Sequence, residues 1–311
     1  MKSLRIVFLG TPEFAAYSLK TLYQSEHQIV GVVTAPDKPA GRGQKLHETA
    51  VKILALELGI PILQPSNLKD EVFVEELKKL NADLQIVVAF RMLPEKVWNM
   101  PPMGTVNLHA SLLPQYRGAA PINWAVINGE TESGISTFLL KHEIDTGDLL
   151  KRQKVEIGKA TTAGELHDIL MTTGANLLVQ TVDELAMQKA QPIPQAEIPV
   201  SEIKKAPKIF KDDMLIDWKQ SCLQIYNLIR GLSPYPTAWT VLNDKNLKIY
   251  RSEIELIKHQ HVPGTWHSDN KTYLKCATSD GYIQVKELQL EGKKKMDVID
   301  FMRGYQLNQK V

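Results

Sequence analysis

Leu4-Arg-Ile-Val-Phe-Leu-Gly-Thr-Pro-Glu-Phe-Ala-Ala-Tyr-Ser-Leu-Lys-Thr-Leu-Tyr23 opens on a nearly continuous apolar run, turns at Gly10 and continues as an amphipathic stretch. This reads as strand, turn and helix. Pro12 suits the first turn of that helix, where an N–H would have no helical partner. The same alternation continues outward, with strands expected over 29–34, 62–63, 83–89, 104–109 and 135–140. Helices are expected near 49–58, 70–80, 119–128 and 162–188. Strands apolar on both faces and separated by helices imply a doubly wound, mainly parallel α/β sheet.

Beyond residue 189 the pattern changes. Gln191-Pro-Ile-Pro-Gln195 begins a stretch rich in Pro, Glu and Lys without periodicity, which reads as a linker over 190–208. A helix-like segment over 219–231 and short runs such as Leu247-Lys-Ile-Tyr250 and Gly281-Tyr-Ile-Gln-Val-Lys286 follow. They suggest a small barrel or sandwich over 209–311. The organisation expected is therefore a domain over 1–189, the linker and a C-terminal β domain.

The chain has 311 residues, 43% hydrophobic and 23% charged, which excludes disordered, collagen-like and coiled-coil classes. No apolar run approaches the roughly 20 residues that span a bilayer. The opening Met1-Lys-Ser-Leu-Arg5 leads straight into a strand, not into a signal-peptide apolar stretch. A cytoplasmic protein with no membrane partner is expected. Two cysteines, Cys222 and Cys276, support neither a disulfide framework nor a zinc cluster, and both read as buried thiols. Net charge is +4 over 190–311 and −2 over 1–189. That asymmetry suits a weak phosphate-attracting field, or equally ordinary surface variation.

The first turn, Gly10-Thr-Pro-Glu-Phe-Ala15, lacks the further glycines of a dinucleotide fingerprint, and no phosphate-cradling loop ending in Lys-Ser or Lys-Thr occurs. Attention falls on Thr105-Val-Asn-Leu-His109. Asn107 and His109 lie two apart on an expected strand, so their side chains share a face. An amide donor beside an imidazole suits attack on a carbonyl, where an oxyanion develops and a proton must move. A polar strand end is the alternative. Downstream, His142-Glu-Ile-Asp-Thr-Gly-Asp148 follows an apolar strand; Asp145 could approach His109 and favour imidazolium, or simply serve a turn. No nucleophile elbow surrounds Ser111, and no zinc-binding His-Glu-x-x-His occurs. Metal-free acyl transfer is the chemistry left.

These motifs resemble the folate-dependent formyltransferases. The residues carrying the resemblance are Asn107-Leu-His109, Ser111-Leu-Leu-Pro114, Arg117-Gly-Ala-Ala-Pro121 and Asp145-Thr-Gly-Asp148, with Gly10-Thr-Pro12, Pro36-Asp-Lys-Pro-Ala-Gly-Arg-Gly43 and Ile216-Asp-Trp218. The resemblance implies a Rossmann-like catalytic domain followed by an OB-like β-barrel that binds tRNA. It implies Asn107, His109 and Asp145 as the catalytic trio. Ser111, Leu112, Leu113 and Pro114 would help hold the co-substrate 10-formyltetrahydrofolate, without a metal. The implied acceptor is methionyl-initiator tRNA, and the implied state a monomer.

The segment over 36–45 also has a physical reading of its own. Gly41 and Gly43 loosen the backbone while Lys38, Arg42 and Lys45 outweigh Asp37. Such a basic loop can grip a phosphate backbone, or simply be solvated. The resemblance favours tRNA contact for Arg42, Lys38 and Lys45, and extends it to Lys208 and to Lys293-Lys-Lys295, itself readable as a plain hairpin tip. Two departures stand out. Arg91-Met-Leu-Pro94 replaces a Tyr-Gly connection near the expected pterin site, and Lys204-Lys-Ala-Pro207 lacks a tyrosine before the alanine. The rival readings are formyl transfer to a small amine, hydrolysis of the formyl donor, and RNA binding without catalysis.

Overall fold

The computed structural model describes residues 2–40 and 45–307. From the N-terminus run β1 (Arg5–Gly10), α1 (Glu13–Tyr23), β2 (Gln28–Val33), a hairpin of β3 (Lys38–Ala40) and β4 (Lys45–His47), α2 (Ala50–Glu57) and β5 (Ile62–Leu63). Then come α3 (Glu71–Lys79), β6 (Leu84–Val88), α4 (Glu95–Trp98), β7 (Thr105–His109) and β8 (Arg117–Gly118). They are followed by α5 (Pro121–Ile127), β9 (Glu132–Leu139), β10 (Leu149–Glu156), α6 (Ala163–Ala186) and β11 (Lys205–Ala206). The remainder holds α7 (Cys222–Leu232), β12 (Ala238–Leu242), β13 (Lys245–Leu256), β14 (Trp266–Ser268), β15 (Leu274–Ala277), β16 (Gly281–Leu290), β17 (Met296–Asp297) and α8 (Val298–Arg303).

Seven strands form one sheet in the order β10-β9-β7-β6-β1-β2-β5. β1 lies parallel to β2 and β6, β2 to β5 and β6 to β7, whereas β7 and β9 are antiparallel. Ile6, Val7, Phe8 and Leu9 are fully buried, as a central strand covered on both faces requires. From β1 the chain builds β2 and β5 on one side, then crosses to β6 and β7 on the other. This reversal puts the topological switch point between β1 and β6, and open α/β sheets bind ligands beyond the carboxyl ends of strands at such a point. The doubly wound, mainly parallel sheet expected from the opening residues is present.

Two differences from expectation lie before α6, beside several short added elements. β10 was not anticipated, because Leu-Leu-Lys-Arg-Gln-Lys-Val-Glu has only a weak apolar alternation; as an edge strand it needs little, and its charges suit an edge. The segment expected as a basic loop forms a hairpin in its described parts, pairing Lys38 with His47 and Pro39 with Leu46. Proline tolerates this place because a two-stranded ribbon leaves edge positions without ladder bonds. Arg42 lies outside the described residues.

The chain divides into two compact units. Met1–Gly118, Gly134–Val155 and Asp168–Lys205 form the first, and Ala119–Ser133, Glu156–His167 and Ala206–Val311 the second. The second unit thus takes in two segments from within the span expected of the first domain. Its sheet has the order β12-β13-β16-β15-β14, with β17 also paired to β16. β13 carries register shifts between Ile249 and Arg251 and between Arg251 and Ser252, and such bulges bend a strand. The result is a curled antiparallel sheet of the OB-like kind. α7 starts in a capping box between Ser221 and Gln224 and buries Ile225, Ile229 and Leu232 against Leu247, Ile283 and Val285. α5 belongs here too: Asn123 Nδ2 donates to Gly231 O at 2.8 Å, and a Cβ at Gly231 would meet Ile127 Cγ1 at 2.5 Å.

Candidate active site

β7 ends at the carboxyl edge of the sheet and delivers Asn107 and His109 on one face. His109 is 7% exposed, and its Nε2 donates to the carbonyl oxygen of Tyr116 at 3.0 Å. A carbonyl only accepts, so Nε2 carries a proton and Nδ1 is the nitrogen left for chemistry. Nδ1 faces Asp145 Oδ2 at 3.9 Å, and that same oxygen accepts the Gly118 N–H at 3.0 Å. The separation exceeds a hydrogen bond. Half-buried Asn107 makes no side-chain hydrogen bond among the described residues. An amide left this way, beside an imidazole backed by a carboxylate, is ready to donate to a new oxygen.

Three left-handed residues lie in or next to the segments that carry this trio. Tyr116 (φ 58°), Asp145 (φ 54°) and Ala89 (φ 47°), which follows β6, adopt left-handed conformations that non-glycine residues rarely take. The Asp145 turn is held by Gln195, which is 4% exposed. Gln195 Nε2 donates to Asp145 O at 2.9 Å and Gly147 O at 2.8 Å, while its Oε1 accepts from Arg117 Nε at 3.0 Å and Nη2 at 2.7 Å. Sequence reasoning missed Gln195, because its neighbours read as linker and its partners are distant in the chain.

Gly147 is needed for space. A Cβ there would lie 1.6 Å from the Leu139 carbonyl oxygen, which is backbone and cannot rotate away. Gly147→Ala is expected to destabilise the protein by roughly 3 kcal/mol or more, read as a lowered thermal midpoint.

The Ser111–Pro114 turn is braced from within. Ser111 Oγ donates to Gln115 O at 2.6 Å, Ser136 Oγ donates to Ser111 O at 2.6 Å, and Arg152 Nη1 donates to Leu113 O at 3.1 Å. Leu113 is fully buried, and Leu112 packs on Gly134, whose added Cβ would come within 2.5 Å of Leu112 Cδ2. These side chains therefore set the shape of the turn. A cavity of about 450 Å³, lined by Thr11, Ala35, Pro36, Lys38, Phe90 and Arg91 among others, opens beyond the carboxyl ends of β1, β2 and β6. Arg91 is anchored there by donating to the carbonyls of Pro65 and Ser66, and burial holds its pKa below the usual value. Exposed Lys38 is part of the lining; Lys45 lies in β4, with its side chain outside the described residues. Lys208, exposed on the second unit, sets its Nζ 5.5 Å from the centre of the Phe210 ring.

Among the described residues, no group of three or more His, Cys, Asp or Glu is arranged to hold a metal ion, and no helix is long and apolar enough to cross a membrane. Both cysteines are free and buried, and burial pushes the Cys222 thiol up to about 11, far from thiolate reactivity.

A doubly wound sheet that gathers amide, imidazole and carboxylate at its carboxyl edge suits the chemistry of acyl-group transfer. Residues 4–182 match the family described as Formyl transferase, and residues 208–306 match its C-terminal domain. The chain belongs to the formyl transferase family. It is 53% identical over 312 residues to a protein of Parabacteroides distasonis named Methionyl-tRNA formyltransferase, covering 98% of this chain and 96% of that one. A Flavobacterium johnsoniae protein of the same name is 50% identical over 308 residues, covering 98% and 97%. Among solved structures, the sugar 3N-formyl transferase WlaRD shares the fold at TM-score 0.66 and 19% identity, covering 94% of this chain and all of that one. HypX from Aquifex aeolicus does so at TM-score 0.66 and 17% identity; 97% of this chain is covered, but it spans only 49% of HypX.

Proposed function

We propose that this chain transfers the formyl group of 10-formyltetrahydrofolate to the free α-amino group of methionyl-initiator tRNA. The observation that carries the chemistry is the unpartnered Asn107 amide on one strand face with His109, whose available Nδ1 faces Asp145. The acceptor assignment is supported by relatives about half identical over nearly the whole chain that bear the name Methionyl-tRNA formyltransferase.

The donor set fits a formyl donor, because an uncommitted amide N–H at a half-buried position stabilises an oxygen that gains negative charge. When bound, 10-formyltetrahydrofolate supplies the electrophilic formyl carbon. The braced Ser111–Pro114 turn holds that donor in our reading. Asn107 donates its N–H to the carbonyl oxygen as charge develops. An α-amino group has a reference pKa of about 7.7–8.0, so a usable fraction is neutral near pH 7. His109 takes at Nδ1 the proton that the attacking amine loses and returns it to the folate nitrogen released as its bond to the formyl carbon breaks, its Nε2–H fixed on Tyr116, while Asp145 stabilises the imidazolium. Lys38, Arg42, Lys45 and Lys208 supply positive charge to the RNA backbone. The protein acts as a monomer in the cytoplasm, a state that sedimentation at working concentration tests.

Mass analysis of products tests the reaction, with protein, 10-formyltetrahydrofolate and charged initiator tRNA incubated together and free methionine and an amino sugar nucleotide as parallel acceptors. Formylmethionyl-tRNA without formylated small amines is the expected result. Formyl transfer confined to a small amine, or formate release alone, overturns the RNA acceptor while leaving the trio in place.

A further inference from the structure

The hairpin β3–β4 leaves the carboxyl edge of the sheet between Asp37, just before β3, and Glu48, just after β4. One ammonium holds both feet. Lys52 Nζ, on α2, pairs with Asp37 Oδ2 and with Glu48 Oε1 at 2.7 Å, and the Lys52 side chain is only 16% exposed. The other Asp37 oxygen accepts from Gln64 Nε2 at 2.9 Å, and Gln64 also donates to Ala35 O at 2.8 Å. α2 itself is fixed to the end of β2, since its N-cap Thr49 shares a buried 2.8 Å hydroxyl contact with Thr34 and accepts from Lys52 N at 3.0 Å. The residue next to Asp37 is Lys38, which lines the cavity.

We propose that Lys52 is a positioning residue for the RNA acceptor, clamping Asp37 and Glu48 so that Lys38 is presented at a fixed place beside the cavity. The inference rests on the tRNA acceptor proposed above. Without the ammonium, two carboxylates would face each other across the base of the hairpin, and like charges at short range repel. The pairing is mutual: Lys52 and Gln64 hold the Asp37 carboxyl below its ordinary value, and Asp37 and Glu48 raise the Lys52 ammonium. The two partners of Lys52 flank the hairpin on either side, so one side chain fixes both of its ends.

The test is steady-state formylation by the full-length protein carrying Lys52→Met, Lys52→Arg, Asp37→Asn, Lys38→Ala, or Lys52→Met with Lys38→Ala. Lys52→Met is expected to raise KM for methionyl-tRNA about tenfold while kcat and KM for the formyl donor stay within about twofold. Lys52→Arg, which can still reach both carboxylates, restores most of the affinity, and Asp37→Asn gives a smaller shift in the same direction without loss of folding. Because Lys52 acts through Lys38, the double variant falls within about twofold of the worse single variant. Multiplicative effects, equal damage to donor and acceptor KM, or a wild-type KM in Lys52→Met each overturn the proposal. A wild-type protein that makes no formylmethionyl-tRNA overturns the function reading itself, a result distinct from any of these.

Discussion

Asn107→Ala is expected to lower kcat by about 10²–10³-fold, the loss typical of one oxyanion donor. The substitution is small and its site tolerant: the side chain has no partner to abandon, while its backbone stays paired to Val87 on β6 and Phe138 on β9. Folding stability is therefore expected to shift by less than about 1 kcal/mol. KM for both substrates should move little, because the lost hydrogen bond matters only as charge develops on the carbonyl oxygen. Asn107→Asp is a useful companion, since a carboxylate of nearly the same shape presents only acceptors at neutral pH and repels the charge it should receive. Single-turnover formylation separates the chemical step from product release. Turnover within threefold or so of wild type in Asn107→Ala would remove Asn107 from the mechanism.

Gln195→Leu is expected to damage stability and turnover together. The amide makes four hydrogen bonds from a buried position, two to carbonyls of the Asp145 turn and two to Arg117, whose guanidinium has no other partner among the described residues. Leucine matches the size but leaves all of those groups unsatisfied, and each such group costs about 1–3 kcal/mol, more when charged. A loss of at least 3 kcal/mol or so follows, seen as a lowered thermal midpoint. The Asp145 turn then loses its hold on a left-handed residue, and displacement of a catalytic group by about 1 Å can cost 10²-fold. A kcat reduced about 10–100-fold at nearly constant KM, measured well below the new midpoint, is the expected signature. A folded variant with undiminished kcat would mean that the Gly118 amide alone keeps Asp145 in place.

The contrast between these two residues shows what could be read from the sequence. Asn107 and His109 were legible because strand alternation fixes which residues share a face, and a polar pair breaking an apolar strand stands out. The parallel sheet was legible from a different signal: β1, β2 and β6 are near-continuous apolar runs set among helical stretches, as strands covered on both faces require. Gln195 had no such signal. Its surroundings, Pro-Ile-Pro-Gln, describe an irregular segment, and its value comes from meeting residues 117, 145 and 147. The Tyr116 carbonyl that fixes the His109 proton was equally invisible, because every residue has a carbonyl and only the fold selects one. The Ser111–Pro114 motif was visible as a pattern, yet its side chains turn inward and act by shaping the turn.

The make-up of the second unit bears on the order in which the molecule can be built. α5 is synthesised about a hundred residues ahead of α7, the helix whose Gly231 receives it. At about 5–20 residues per second, on the order of 5–20 s separates the two on the ribosome, during which Ile127 has no permanent seat. The C-terminal unit therefore cannot mature as an autonomous tail appended to a finished catalytic domain. A separately expressed fragment starting after the linker would lack α5 and expose the side of α7 that it covers, an invitation to aggregation. Completion of the nascent chain, more than the folding of either half, is the event that closes this protein's structure.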